Sequence, residues 1–242
     1  MNKQLVWRSC GFSNVGAGHR KINEDSFLTL PDQMLWVVAD GMGGHARGDV
    51  ASSKIKQAFE NFSLKKSLSS TIENIEDTLI SLNKELRMNL ATNGNQIMGS
   101  TVAMLLGYGS NAYFLWSGDS RIYIYRDNLL SMVTHDHSYV QEIVDRGQIT
   151  LEEAEKHPSA NIITRAVGAV EELYVDIDCL PVKPGDKFLL CSDGLYKALS
   201  NEEIRVQLFD IPMRAAENLI AKALENHADD NVTVIVVEVS DT

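Results

Sequence analysis

The stretch Met34-Leu35-Trp36-Val37-Val38-Ala39-Asp40-Gly41-Met42-Gly43-Gly44-His45 decides how the chain is read. Its apolar run, Met34 to Ala39, has the length and composition of a buried strand and ends in a carboxylate. Three glycines follow within four residues. Beyond them Ala51, Ile55, Ala58, Phe59 and Phe62 recur at helical spacing. A strand that ends in Asp and passes through glycines into a helix sets that Asp at the mouth of a sheet. There a hard cation can reach it, and Gly41 lets the backbone carbonyl approach the same point.

Comparable acids close other apolar runs. Asp119 lies in Ser117-Gly118-Asp119-Ser120, Asp193 in Cys191-Ser192-Asp193-Gly194, and Asp230 in Ala228-Asp229-Asp230-Asn231. Any one of them alone reads as an ordinary turn residue. As a set they suggest oxygen ligands gathered from separate segments.

The 242 residues are 44% apolar, enough for a sizeable core, and carry a formal charge of −11. That charge argues against a nucleic-acid surface, which recruits Lys and Arg. It is compatible with a phosphorylated substrate, because clustered carboxylates bind cations and cations bind phosphate. Cys10, Cys179 and Cys191 are few, odd in number and far apart, as in a reducing compartment. The polar, glycine-broken start does not read as a signal peptide, and no apolar run approaches a membrane span. The expectation is a cytoplasmic chain with no membrane or nucleic-acid partner.

Reading outward, Leu5 to Ser13 is expected as an edge strand. Ser26 to Leu30 pairs with Gln33 to Ala39 across Pro31-Asp32. Ser70 and Glu73 form a capping-box pattern ahead of a long helix with Ile72, Ile75, Leu79, Leu82, Leu86 and Leu90 on one stripe. Thr101 to Leu106, Ala112 to Trp116, Arg121 to Tyr125 and Leu129 to Val133 have the spacing of one antiparallel meander. His135 to Gly168 is polar, carries three histidines and breaks at Gly147 and His157-Pro158. It reads as an excursion from the sheets beside the site. Strands follow over Leu173 to Pro181 and Lys187 to Ser192. A capped helix begins at Ser200 and Glu203, another opens at Pro212, and Val232 to Val239 closes the pattern as a buried strand. Strands fall in antiparallel groups and helices in pairs, so the class is α+β in layers within one domain over residues 1–242.

Mg²⁺ and Mn²⁺ prefer oxygen ligands and keep several waters. Asp40, Asp193 and Asp230 with the Gly41 carbonyl suit them. Two such ions about 3.5–4 Å apart can activate a water for in-line attack on phosphorus. Arg20 is the candidate for gripping the phosphate, since a guanidinium fork matches two phosphoryl oxygens. It precedes Glu24 and Asp25 in the same charged loop. Other phosphatase chemistries fail on residues. A Cys-x5-Arg loop would need Arg at Gly16, Gly185 or Lys197. Asp176-Ile177-Asp178 sits in mid-strand before Cys179 without the hydroxyl residue of an aspartyl nucleophile, and no Gly-x4-Gly-Lys-Ser/Thr loop is present.

With these residues in view, the chain resembles the metal-dependent protein phosphatases of the PPM or PP2C type, in their compact bacterial form. The match is Arg20-x-x-Asn23-Glu24-Asp25, Asp40-Gly41-Met42-Gly43-Gly44-His45, Gly99-Ser100-Thr101, Gly118-Asp119-Ser120-Arg121, Ser192-Asp193-Gly194 and Asp230-Asn231. The resemblance implies a four-layer α-β-β-α sandwich, two antiparallel sheets flanked by helix pairs, with a flap at about residues 135–168. It implies a dinuclear Mn²⁺ or Mg²⁺ site in which Asp40 bridges both ions, Gly41 gives its carbonyl to one, and Asp193 and Asp230 ligate the other. Glu24 and Asp25 would surround the second ion, partly through water. Arg20 would hold the phosphate, and Asp119 with Asp193 would take a third, weaker ion. Where many eukaryotic members have a His after Asp-Gly, this chain has Met42. The general acid is then His45 or a metal-held water.

The implied activity is hydrolysis of phosphoserine and phosphothreonine in protein substrates, by a monomer that opposes a serine/threonine kinase, with type VI secretion among the settings of related phosphatases. Two rivals are a signalling module that has lost catalysis and a phosphatase of non-protein phosphoesters.

Overall fold

The computed structural model describes residues 5–18, 21–43, 47–88 and 97–241, the side chain of residue 155 excepted. Its apolar runs form two antiparallel sheets. One contains β1 (Leu5–Asn14), β11 (Val232–Asp241), β10 (Lys187–Cys191), β7 (Arg121–Arg126) and β8 (Leu129–Met132), in that order across the sheet. The other runs β2 (Asp25–Leu30), β3 (Leu35–Met42), β5 (Val102–Tyr108), β6 (Asn111–Ser117) and β9 (Asp176–Pro181), with the two-residue β4 (Gly99–Ser100) beside the end of β3.

Alternation along the strands divides the side chains between two faces. Inner faces meet in a core of Trp7, Trp36, Val38, Leu105, Phe114, Ile122, Phe188 and Val237 with their neighbours. Trp7 stacks on Trp36 at 5.5 Å and on Phe188 at 6.0 Å, so aromatic rings bridge the sheets.

The outer faces are covered by helices. α1 (Gly48–Phe59) and α2 (Leu68–Met88) bury Ile55, Phe59, Ile75, Leu79 and Leu86 against the β2–β3 side. α5 (Asp193–Ala198), α6 (Asn201–Gln207) and α7 (Pro212–Glu225) bury Leu195, Ile204, Ala216 and Leu219 against β10 and β11. The result is the expected α-β-β-α sandwich. The chain between the sheets at residues 135–168 holds α3 (Tyr139–Asp145) and α4 (Leu151–Glu155).

Several boundaries depart from expectation. The meander is not one sheet: β5 and β6 lie in one layer and β7 and β8 in the other. The chain crosses at Gly118-Asp119-Ser120, where Gly118 has φ +117 and a Cβ would strike the Thr101 side chain at 2.6 Å. β3 does not stop at Ala39 but runs through Asp40 and Gly41, because Gly41 and Met42 pair with β4.

The box at Ser70 and Glu73 does not form. The helix starts at Leu68, Ser67 Oγ accepts from the Ser70 amide at 3.1 Å, and Glu73 instead accepts from Ser69 Oγ. The earlier start lets Leu68 pack on the core. β9 begins at Asp176, since its ladder with β6 reaches only Trp116. Ser192 ends no strand but precedes α5. The box at Ser200 and Glu203 forms as read, and a second one at Thr150 and Glu153 opens α4. Leu90 lies outside the described residues.

Trp36 is fully buried where the two sheets meet. Trp36→Ala should cost about 3–5 kcal/mol, read as a lower urea midpoint with an unchanged slope. A loss below about 1 kcal/mol would mean that this contact does not hold the layers together.

Candidate metal and phosphate site

One end of the sandwich collects the acids. Asp25 and Asp40 are register partners on β2 and β3, so the antiparallel ladder alone sets them side by side. The backbone of Asp40 is clamped: its amide donates to Thr101 Oγ1 at 3.1 Å and its carbonyl accepts from the Thr101 amide at 2.8 Å. Thr101 Oγ1 in turn shares a hydrogen bond with Ser120 Oγ at 2.6 Å, next to Asp119. Gly41 is pressed against the first residue of α1; a Cβ there would sit 2.0 Å from the Gly48 carbonyl oxygen. No other residue fits.

Asp193 and Asp230 arrive from α5 and from the loop before β11. Their segments touch: a Cβ on Gly194 would lie 2.1 Å from the Asn231 carbonyl oxygen. Asn231 is the latch of this region. Its amide nitrogen donates to the Val15 and Ile22 carbonyls at 3.0 and 3.3 Å, and its Oδ1 accepts from the Glu24 amide at 2.8 Å. Ser192 Oγ donates to Asp25 Oδ2 at 2.7 Å while accepting from the Thr233 amide at 2.9 Å. Glu24 is directed differently from the other acids, since its Oε1 accepts from the Gly48 amide at 3.1 Å and satisfies the start of α1.

The electrostatics record the crowding. Burial, then the charges of Asp25, Asp193, Asp119 and Asp230, push the Asp40 carboxyl well above the usual range. Burial raises Asp25 to about 7, opposed by hydrogen bonds from Thr233 and Ser192 and reinforced by Asp193 and Asp230. Burial also raises Asp119 to about 7, with Asp193 and Asp136 adding to it and Lys197 and Arg121 opposing.

Asp119 Oδ1 and Asp193 Oδ1 are buried without a hydrogen-bond partner among the described residues. A buried carboxylate oxygen in that state calls for a proton or a cation. Among the described residues, no three His, Cys, Asp or Glu groups form a tight single-ion cage. The acids instead act on one another's charges without closing on one point, as suits ions that keep part of their water.

The structure thus brings Asp25, Asp40, Asp119, Asp193 and Asp230 within reach of one another's charges. Arg20 and His45 lie outside the described residues. Sequence reasoning missed the supports: Thr101, Ser120, Ser192, Asn231 as a latch, and Lys197. Lys197 Nζ lies 2.5 Å from Asp193 Oδ2. Its i+4 spacing from Asp193 was the available signal. The excursion at 135–168 meets the site through Asn161, which accepts from Lys197 at 2.7 Å, and through a two-way backbone pairing of Val167 with Ser100 at 2.9 Å.

Comparison with known proteins accords with this arrangement. The family model described as Protein phosphatase 2C matches residues 15–227. The serine/threonine protein phosphatase PstP of Mycobacterium tuberculosis is 36% identical over 98% of the chain, which spans only 46% of that protein's length. The serine/threonine phosphatase stp of Listeria monocytogenes is 34% identical, with 91% of the chain and 90% of the relative covered.

Among solved structures, PppA, a key regulatory component of T6SS in Pseudomonas aeruginosa, aligns at TM-score 0.90 with 40% identity over 98% of this chain and all (100%) of its own. The catalytic domain of PstP in complex with two manganese ions aligns at 0.85 with 33% identity over 98% and 100%. The sandwich, its acid-bearing end and these matches agree: the chain belongs to the protein phosphatase 2C family.

Proposed function

We propose that this chain is a metal-dependent protein serine/threonine phosphatase that hydrolyses phosphoserine and phosphothreonine in protein substrates and so reverses a serine/threonine kinase. The observation that carries the reading is the convergence of Asp25, Asp40, Asp119, Asp193 and Asp230, with buried oxygens of Asp119 and Asp193 left without a donor among the described residues. An all-oxygen donor set suits Mn²⁺ or Mg²⁺. Asp40, the Gly41 carbonyl, Asp193 and Asp230 would hold two ions. Asp25 would stand at the second, with Glu24 acting there through its remaining oxygen or water. Arg20 would grip the phosphate. Bound there, such a pair activates water for attack on phosphorus and offsets charge on the phosphoryl oxygens.

The chain's own residues do the positioning. Thr101 fixes the Asp40 backbone, Ser192 orients Asp25, and Asn231 holds the loop that follows Arg20. The Asp193 charge also acts on Asp119, which ties the sheet crossing to the same end of the sandwich. All these groups come from one chain, which supports action as a monomer. No described helix is long and apolar enough to cross a membrane, which supports a cytoplasmic place. The likeness to PppA supports regulation of type VI secretion as the setting.

Purified protein should release phosphate from phosphothreonine peptides with Mn²⁺ or Mg²⁺ and lose that activity in chelator; an unchanged rate in chelator would falsify the mechanism. Asp193→Asn, which removes a ligand's charge, should lower kcat by several orders of magnitude. Near-normal turnover would take Asp193 out of the site.

Stability should report the same crowding. Asp25 and Asp119 are raised to about 7 in the fold from an unfolded value near 4. The metal-free fold thus keeps protons that the unfolded chain has shed between those values, and its stability falls as pH rises through about 4 to 7. In chelator, Tm should drop by several degrees from pH 5 to 8, and added Mn²⁺ should raise it strongly at pH 7.5 and little at pH 5. His137, lowered by burial, contributes the opposite slope. The comparison is therefore with Asp119→Asn, whose profile should be flatter. Identical profiles for the two proteins would contradict a buried, repelled Asp119.

A further inference from the structure

The acidic end of the sandwich is not electrostatically uniform. The charges that act most strongly on Asp40 are all acids, and those that raise Asp25 are Asp193 and Asp230. Asp119 is different, because Lys197 and Arg121 both oppose its rise.

Lys197 stands one helical turn beyond Asp193 on α5. Its Nζ lies 2.5 Å from Asp193 Oδ2 and donates to Asn161 Oδ1 at 2.7 Å. The Lys197 side chain is 39% exposed and that of Asp193 only 13%, so the ammonium closes the cluster from the solvent side. Burial works to lower Lys197, but Asp193, Asp119 and Asp230 outweigh it and keep the group charged.

Asp119 is 3% exposed, with Oδ1 unpartnered among the described residues. The Tyr196 hydroxyl donates to the Asp119 carbonyl at 3.1 Å and lies 3.4 Å from Oδ2. Arg121 lies 3.6 Å over the Tyr196 ring and is held by a fork of hydrogen bonds to Asp136. Among the described residues, one end of the acidic space thus has resident cations, and the end at Asp25 and Asp40 is acted on chiefly by acids.

We infer that Lys197 is the built-in counter-cation of the Asp119–Asp193 end, so that the protein takes two divalent ions and not three, and that the same ammonium ties the segment around Asn161 to the site. This rests on the reading of the site as a divalent-ion centre. A fixed positive charge on Asp193 Oδ2 repels an ion between Asp193 and Asp119, yet leaves Asp193 Oδ1, which has no partner among the described residues, for exchangeable ions. It also links the position of the 157–163 segment to the charge state of the centre, since one ammonium serves both.

The test counts ions without relying on turnover. Mn²⁺ bound at pH 7.5 is measured by equilibrium dialysis, with unbound Mn²⁺ read from its electron paramagnetic resonance signal. Wild type should hold two ions, Lys197→Met should gain a third at the same free Mn²⁺, and Lys197→Arg should return the count to two. Asn161→Ala keeps the ammonium, so it should hold two ions yet be cut faster by protease within residues 157–165. Lys197 is partly exposed in the last turn of a helix, and the Lys197→Arg variant covers the case in which Lys197→Met does not fold. Two ions in both wild type and Lys197→Met, or a third in Lys197→Arg or Asn161→Ala, overturns the assignment of Lys197 alone. Three ions in wild type does the same. No bound Mn²⁺ in wild type overturns the metal-centre reading and this one with it. Unchanged proteolysis of Asn161→Ala removes the tether.

Discussion

Repulsion among Asp25, Asp40, Asp119, Asp193 and Asp230 is the constraint on which the rest of the molecule depends. Crowding five carboxylates at one end, with Asp25 and Asp119 buried, is costly, and the raised carboxyls of Asp25, Asp40 and Asp119 register that cost. A flexible chain would spread such groups apart. They stay together because each is fixed through its backbone: Asp25 and Asp40 by a ladder register, Asp119 by the crossing between sheets, Asp193 by the start of a helix, and Asp230 by a loop pinned through Asn231. Cation binding is then favourable because the protein has already met the cost of assembling the ligands.

The rigidity comes from the layers beneath. Trp7, Trp36, Phe114 and Phe188 fill the space between the sheets, and helices seal both outer faces. Neither sheet can slide without breaking that packing. Small hydroxyl residues carry the rigidity to the acids. Thr101 and Ser120 bond across the two layers, and Ser192 with Thr233 joins β10, β11 and Asp25. They are short enough to leave no slack between core and carboxylate.

Much of this was legible in the residues. The strand leading into Asp40 and its hairpin with the strand before it follow from period and turn chemistry, because local pattern and tertiary fold agree there; the extension of that strand to Met42 depends on β4 and was not legible. What pattern could not give was sheet membership. Residues 101–133 have the spacing of a meander, and only the turn at Gly118 sends half of it to the other layer. The start of α2 was also ambiguous, because Ser67 and Ser70 both offer a cap and the packing of Leu68 decides between them. Asn231 as a latch and Lys197 as a partner of Asp193 depend on contacts distant in sequence or on which helix face turns inward, and periodicity is silent about such contacts. Cys10, Cys179 and Cys191 are free thiols.

β1 pairs with β11 along its whole length, from Leu5 opposite Asp241 to Asn14 opposite Val232. Asp230 and Asn231 immediately precede β11. During synthesis, therefore, β1 cannot gain its only sheet neighbour among the described residues until nearly all of this segment has left the ribosome, although β7, β8 and β10 can pair before then. The acidic centre is completed in the same event. Such long-range closure is intrinsically slow, and it leaves a nascent chain whose N-terminal strand waits unpaired while the ion-binding end is still missing a wall. A growing polypeptide built this way gathers its acids only once the last strand is in place.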